Sequence, residues 1–160
     1  MIGVARGMLA LSLTMLCWCA RAEQPAAAPA AVRIGYVSLK VRDLDRSLHF
    51  YEAVLGLKQS RRLQASSDVV EVLLNGEGGN DASGVMLMHD KRRDRPYELG
   101  DGYSRIVVYV HDLHRIADAL PDSGGTTVRA STRVEALKIS ILLARDPDGY
   151  LIEFVQRDPR

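Results

Sequence analysis

The chain has 160 residues, with 21 basic and 20 acidic side chains and a formal charge of +1. This length suits one domain or two small repeated modules, and the balanced charge leaves no basic excess to neutralise a nucleic-acid backbone. A hydrophobic fraction of 47% with 26% charged residues is typical of a water-soluble globular domain and argues against a disordered tail or a polytopic membrane protein.

Residues 1–22 are organised like a secretory signal peptide. Arg6 supplies a positive start, an apolar run follows from Met8 to Cys19, and Ala20-Arg21-Ala22 places small residues at a cleavage point. The run has 12 residues, whereas a membrane-spanning helix needs roughly 20. A cleaved signal is therefore favoured over a membrane anchor. Lipid attachment at Cys17 or Cys19 is the other alternative, but the preceding residues, Leu and Trp, are not small.

Cleavage after residue 22 removes both cysteines, so the mature chain has neither a disulfide nor a thiolate ligand or nucleophile. It also removes two arginines, which lowers the basic count from 21 to 19 against 20 acidic residues. An exported protein without disulfides is expected in a bacterial periplasm, free of the membrane. Residues 23–32, rich in Ala and Pro, are predicted to form a flexible tether.

From residue 33 onward, two similar successions of elements are predicted. The first comprises a strand from Ile34 to Val41, a helix from Asp43 to Leu57, and strands Val69–Leu74 and Gly84–Met88. The second comprises a strand Arg105–Val110, a helix Asp112–Leu120, and strands Thr127–Arg133, Ala136–Ala144 and Tyr150–Gln156.

A short motif repeats with the elements. V-x-D-L-x-R begins at Val41 and again at Val110, 69 residues later, which predicts duplicated βαβββ modules at about residues 33–100 and 103–157. The aspartates of the two copies are predicted to cap their helices, and the arginines to lie on solvated helix faces. These residues are Asp43, Asp112, Arg46 and Arg115.

Two longer motifs carry a family resemblance. D-L-D-R-S-L-H-F-Y ends at Tyr51, D-P-D-G-Y-L-I-E-F begins at Asp146, and Tyr97-Glu-Leu-Gly100 lies between them. Together they resemble the vicinal oxygen chelate superfamily, and most closely glyoxalase I and the bleomycin-resistance proteins. The resemblance covers nearly all of residues 33–157. It implies an α+β fold in which two βαβββ modules form a curled mixed sheet around a cavity, often in a dimer.

The same resemblance locates the family's metal ligands. The four positions fall on Tyr36, Met86, Arg105 and Glu153, and only Glu153 is a ligand type. Arg105 is a permanent cation that would repel a divalent ion. No metal or other cofactor is therefore expected; a divalent metal held by displaced ligands, with His89 as the substitute, is the alternative.

Side-chain alternation and the resemblance together define a candidate site. We hypothesise that Arg105 and Glu153 form an ion pair in the vacated metal position, with a structural or a binding role. In a functional site Arg105 would hold a carboxylate or enolate oxygen while Glu153 or Tyr36 moves a proton. The other predicted ligand-binding residues are Ser38, Met86, Met88 and Tyr109.

The remaining polar clusters have ordinary interpretations. His49, His111 and His114 are predicted to be solvated, and the basic run from Lys91 to Arg95 to be a solvated loop. No phosphate-binding glycine loop or nucleophile elbow is present in the sequence.

The main functional hypothesis is an exported glyoxalase-like or bleomycin-resistance-like domain that binds a small organic molecule in its cavity without a metal. One alternative is a glyoxalase I-like lyase or isomerase of the lactoylglutathione lyase type, either metal-free and using Glu153 or with rearranged metal ligands. Another is a degenerate module kept for partner contacts. A monomer and a homodimer are both compatible with the sequence.

Overall fold

The computed structural model describes residues 34–79 and 83–159. The predicted signal peptide, residues 1–22, and the predicted tether, residues 23–32, lie outside the described residues. Within the described part, no helix has the length and apolar character needed to cross a membrane.

Each half of the chain forms strand, helix and three strands. The first half contains β1 (Tyr36–Lys40), α1 (Leu44–Leu55), β2 (Lys58–Gln64), β3 (Val69–Asn75) and β4 (Gly84–Asp90). The second half contains β5 (Ile106–Val110), α2 (Leu113–Ala119), β6 (Thr126–Val134), β7 (Ile139–Arg145) and β8 (Leu151–Arg157). The α+β fold with two βαβββ modules is therefore confirmed.

The strands build two separate four-stranded mixed sheets, in the orders β1-β4-β3-β2 and β5-β8-β7-β6, and not a closed barrel. In each sheet the first strand of the module runs parallel to the last, and the other neighbours are antiparallel. The central strands are consequently the last strand of each module and the one before it.

Two strands differ most from the sequence predictions. Strand β2 was not predicted, because its sequence K-Q-S-R-R-L-Q lacks apolar alternation and all seven residues are exposed at a sheet edge. The strand predicted to begin at Ala136 instead begins at Ile139. A 3-10 turn spans Glu135–Leu137, and Lys138 follows with a left-handed φ of 53°.

The two helices begin where the motif predicts. Asp43 Oδ1 accepts a hydrogen bond from Arg46 N at 3.0 Å, and Asp112 Oδ1 accepts one from His114 N at 2.8 Å, so both predicted N-caps are confirmed. Helix α1 ends at Leu55, before the predicted Leu57, because Gly56 adopts a left-handed φ of 68°.

The core lies between each helix and its sheet. Leu39 and Val41 in the first half, and Ile152 and Phe154 in the second, are buried, as side-chain alternation predicts. Val37 departs from this pattern with 37% of its surface exposed, because it lies where β1 begins.

The D-P-D-G turn of the second half docks on α1 of the first. The Tyr51 hydroxyl donates to Asp146 Oδ2 at 2.8 Å. Asp148 accepts from Arg42 N and from Ser47 Oγ, each at 2.8 Å. These three hydrogen bonds thus join α1 and the residue two positions before it to residues about 100 positions later.

The side chains of the two arginines in the repeated motif also donate hydrogen bonds from one half to the other. Arg46 Nη2 donates to the Pro147 carbonyl oxygen at 3.1 Å, and Arg115 Nη2 donates to the Val54 carbonyl oxygen at 2.9 Å. Both arginines are exposed, as predicted, but the prediction did not include these hydrogen bonds between the halves. Each side chain is long enough to reach a carbonyl oxygen of the other module while remaining at the surface.

Candidate functional site

The sheet registers show which positions of the two modules are equivalent. Ser38 of β1 is paired with Met86 of β4, and Val107 of β5 is paired with Glu153 of β8. Since Ser38 and Val107 are separated by the 69 positions of the repeat, Met86 occupies in the first module the place that Glu153 occupies in the second. The register establishes this equivalence within the repeat, while the assignment of both residues to family ligand positions remains a prediction from the resemblance.

Arg105 and Glu153 form the predicted ion pair. Arg105 Nε lies 2.7 Å from Glu153 Oε2. The Glu153 side chain is 14% exposed and the Arg105 side chain 44% exposed, so the carboxylate is mostly buried while part of the guanidinium faces solvent. Arg105 immediately precedes β5, and Glu153 is the third residue of β8. The backbone positions of the pair are therefore set by two neighbouring parallel strands, β5 and β8.

Tyr36 is oriented within its own module. Its hydroxyl donates to Asn75 Oδ1 at 3.0 Å, and Ser60 Oγ donates to the same oxygen at 2.5 Å. Within the described residues, no hydrogen bond joins Tyr36 to Arg105 or Glu153. The structure of the single chain does not bring the two predicted catalytic residues together.

The other predicted binding residues lie on open sheet faces. Ser38 is exposed, and Met86 and Met88 are half-buried on the neighbouring strand. Tyr109 is 62% exposed, with the Arg157 guanidinium 4.3 Å from its ring centre. Tyr109 lines a surface cavity of about 620 Å³ near the end of β8, whereas Ser38, Met86 and Met88 line neither this one nor the cavities of about 520 and 340 Å³. These residues therefore do not converge on one enclosed pocket in the single chain.

The residues at the ligand positions do not fit a metal. Tyr36, Met86 and Arg105 accompany one carboxylate, and a cation already neutralises that carboxylate. In the described ranges, no group of three or more His, Cys, Asp and Glu side chains could hold an ion. His89 has its Nδ1 3.3 Å from the Val41 carbonyl oxygen. The remaining histidines, His49, His111 and His114, are exposed, as predicted.

A buried carboxyl group lies outside this site. Asp146 is 3% exposed and accepts hydrogen bonds from Tyr51, from Tyr150 N at 2.8 Å and from Asp148 N at 3.0 Å. Burial raises the pKa of Asp146 to about 6, although these hydrogen bonds lower it. Burial, with the nearby Asp146 charge, also raises the pKa of Tyr51. Asp146 is not among the site residues predicted from the sequence, and its place in the D-P-D-G motif was the available signal.

Comparison with known proteins agrees with this architecture. The family model described as the glyoxalase/bleomycin resistance protein/dioxygenase superfamily matches residues 33–154. The chain is 34% identical over 127 residues to a lactoylglutathione lyase of Neisseria meningitidis, covering 79% of this chain and 91% of that protein. It is 33% identical over 126 residues to the lactoylglutathione lyase of Haemophilus influenzae, covering 78% of this chain and 93% of that one.

Solved structures show the same relationship. Glyoxalase I from Zea mays superposes with a TM-score of 0.71 at 26% identity, and the match covers 79% of this chain but 45% of the maize protein. Glyoxalase I from Leishmania major superposes with a TM-score of 0.65 at 25% identity, covering 79% of this chain and 87% of that one. The matched sequence, the paired modules and the shared fold place the chain in the glyoxalase/bleomycin resistance protein/dioxygenase superfamily.

Proposed function

We propose that this protein is a glyoxalase I-like isomerase in which the Arg105–Glu153 pair replaces metal-assisted chemistry. The observation that carries the proposal is the 2.7 Å contact between a largely buried carboxylate and a partly exposed guanidinium at two family ligand positions. The lactoylglutathione lyases to which the chain is similar support the reaction class, because their matches extend over most of both proteins.

The substrate class is the hemithioacetal of an α-ketoaldehyde, which isomerises to an α-hydroxy thioester of the lactoyl kind. Glu153 removes the proton from the carbon that carries sulfur, and the electron pair moves onto the neighbouring carbonyl oxygen. Arg105 holds the resulting enolate oxygen through charge-assisted hydrogen bonds. Protonated Glu153 returns the proton to the former carbonyl carbon, and the hydroxyl proton moves to its oxygen. Atoms and electrons balance without an oxidant.

Tyr36 is left out of this step. Its hydroxyl already donates to Asn75, and a group that is bonded within the first module is not free to shuttle a proton beside Glu153. We assign Tyr36 instead a structural role in shaping the site.

The test is turnover of methylglyoxal and glutathione by residues 23–160, with and without a chelator. We expect thioester formation that a chelator does not inhibit and that Glu153→Gln lowers by roughly 100-fold or more, the size of a general-base contribution. Glu98→Gln, at an exposed carboxylate, is the matched control. Turnover that requires added zinc or nickel, or that survives in Glu153→Gln, would contradict the proposal.

A second candidate is binding without turnover. It is favoured by the replacement of three of the four ligand positions and by the exposure of Arg105, which leaves the guanidinium accessible to an anionic ligand. Saturable binding of lactoylglutathione that Arg105→Gln abolishes, with no product formed by the unaltered protein, would establish this candidate in place of the first.

We further propose that the protein is exported and functions in the periplasm after cleavage at residue 22. The support is the order of positive, apolar and small residues in the first 22 positions. The check is the N-terminal sequence and mass of protein recovered from the periplasmic fraction of a bacterial host. A chain that begins at Glu23 is expected, and an uncleaved chain in the cytosol would contradict this assignment.

A further inference from the structure

A second candidate site lies beside the first turn of α1. A cavity of about 520 Å³ is lined there by four cationic side chains, Arg42, Arg62, Lys91 and Arg93, together with His89. These cations come from three separated parts of the chain: the loop before α1, the edge strand β2 and the segment after β4. The fold therefore gathers positive charge that no single sequence motif contains.

Among residues 34–79 and 83–159, none of the four cations forms an ion pair, although three carboxylates line the same cavity. Arg92, by contrast, points elsewhere and bonds to Asp90 at 2.8 Å. An opposite charge supplied from outside would therefore not have to displace an existing salt bridge.

Arg93 shows the clearest sign of incomplete pairing. Its guanidinium stacks on the Tyr97 ring at 4.1 Å and donates through Nη2 to the Pro96 carbonyl oxygen at 2.8 Å. Its Nε is buried without a hydrogen-bond partner, an arrangement that costs free energy in a protein interior. The prediction of a solvated basic loop holds for the other residues of the run 91–95, which are exposed, but is wrong for Arg93, which is half-buried against an aromatic ring.

Three acidic residues offset most, but not all, of the positive charge at the cavity. Asp43, Asp45 and Asp94 also line it, so the formal charge of the lining is +1 with His89 neutral. Asp43 is already committed to the helix cap through Arg46 N. The start of the 12-residue helix α1 adds the positive end of its dipole to the same place.

We propose that this cavity binds a small molecule through a multiply charged oxyanion, a phosphate or a polycarboxylate. The volume of about 520 Å³ is within the range of small-molecule sites and leaves room for an organic group beside the anion. The site shares no residue with Arg105 and Glu153, so the proposal goes beyond the isomerase function and stands independently of it.

The experiment is a nuclear magnetic resonance titration of residues 23–160 with inorganic phosphate and, separately, with citrate. Ionic strength is held constant with chloride, and His89→Gln identifies the imidazole resonances of His89. We expect saturable shifts of His89 with phosphate or citrate and none with chloride alone. The stronger of the two ligands identifies the oxyanion class.

Two variants and one control decide the result. Arg62→Gln and Arg93→Gln should each weaken binding by roughly 10-fold, as the loss of one charged hydrogen bond implies, while Arg92→Gln should bind like the unaltered protein. Melting curves confirm that each variant is folded. Equal shifts with chloride, or equal weakening by Arg92→Gln, would overturn the proposal.

Discussion

At the scale of single residues, Arg105 determines the environment of the Glu153 carboxylate. A mostly buried carboxylate is costly unless a cation or hydrogen-bond donors compensate its charge. Arg105 supplies that compensation at 2.7 Å without a metal. The pair is therefore a structural requirement of this site as well as a candidate for its chemistry.

Replacing Arg105 alone should destabilise the protein. Arg105→Ala leaves the Glu153 carboxylate mostly buried and unpaired, but partial exposure of the pair lets solvent screen it, so the expected loss is about 1 kcal/mol of unfolding free energy. Urea denaturation of the variant measures it.

The double variant Arg105→Ala/Glu153→Gln should recover much of the loss, because no unpaired charge remains. Arg95→Ala, at an exposed position, serves as the control. Equal stability of Arg105→Ala and the unaltered protein would show that water alone solvates Glu153.

At the scale of elements, the contact of β1, β3 and β4 around Gly84 sets the position of Tyr36. Gly84 is paired with Tyr36 on one side and with Asn75 on the other. A Cβ at Gly84 would overlap the Leu74 carbonyl oxygen and lie 2.9 Å from Tyr36 Cε1. Only glycine therefore lets these strands approach this closely under the Tyr36 ring.

Gly84→Ala should consequently be destabilising. Overlap with backbone that cannot easily move implies a loss of roughly 1–3 kcal/mol, together with displacement of the Tyr36 ring. Thermal unfolding and the Tyr36 ring resonances measure the two effects.

Gly35→Ala is the matched control, because a Cβ there meets no atom within 4 Å. It should leave the stability within about 0.5 kcal/mol of the unaltered protein. Similar losses in the two variants would mean that the close approach at Gly84 is unimportant.

The elements also show where sequence reasoning succeeds. The helix caps at Asp43 and Asp112 and the burial of Leu39 and Ile152 follow from local pattern alone. Strand β2 has no such pattern, because an exposed edge strand is held by backbone hydrogen bonds and not by apolar side chains.

Of the two candidate sites, one was predictable from the sequence and the other was not. The Arg105–Glu153 pair was predictable because a repeat and a family motif fixed both positions. The cationic cavity was not, since residues such as Arg62 and Arg93 meet only through the tertiary fold. Hydrogen bonds of Arg46 and Arg115 across the halves were missed for the same reason.

At the scale of the whole molecule, Asp146 holds the two halves together while buried. Its pKa of about 6 lies above the value of about 3.9 expected in an unfolded chain. The folded state therefore binds a proton more readily, so the contribution of Asp146 favours folding most below pH 4 and declines as the pH rises through about 6.

Comparison with Asp146→Asn isolates this contribution. Asparagine keeps a side-chain oxygen for Tyr150 N and does not titrate. The difference in unfolding free energy, unaltered protein minus variant, should grow by roughly 2 kcal/mol as the pH falls from 7 to 4, because most of the two-unit pKa shift, at 1.36 kcal/mol per unit, is titrated in that range. Urea titrations at several pH values measure it, and a constant difference would refute the raised pKa.

The docking of the D-P-D-G turn on α1 has a consequence for the order in which the protein is made. Ser47 and Tyr51 leave the ribosome about 100 residues before their partners Asp148 and Asp146. These two hydrogen bonds of the first helix therefore cannot form until residues 146–148 have been made. Nascent chains that stop short of Asp146 should therefore be more sensitive to protease than chains that include the D-P-D-G turn.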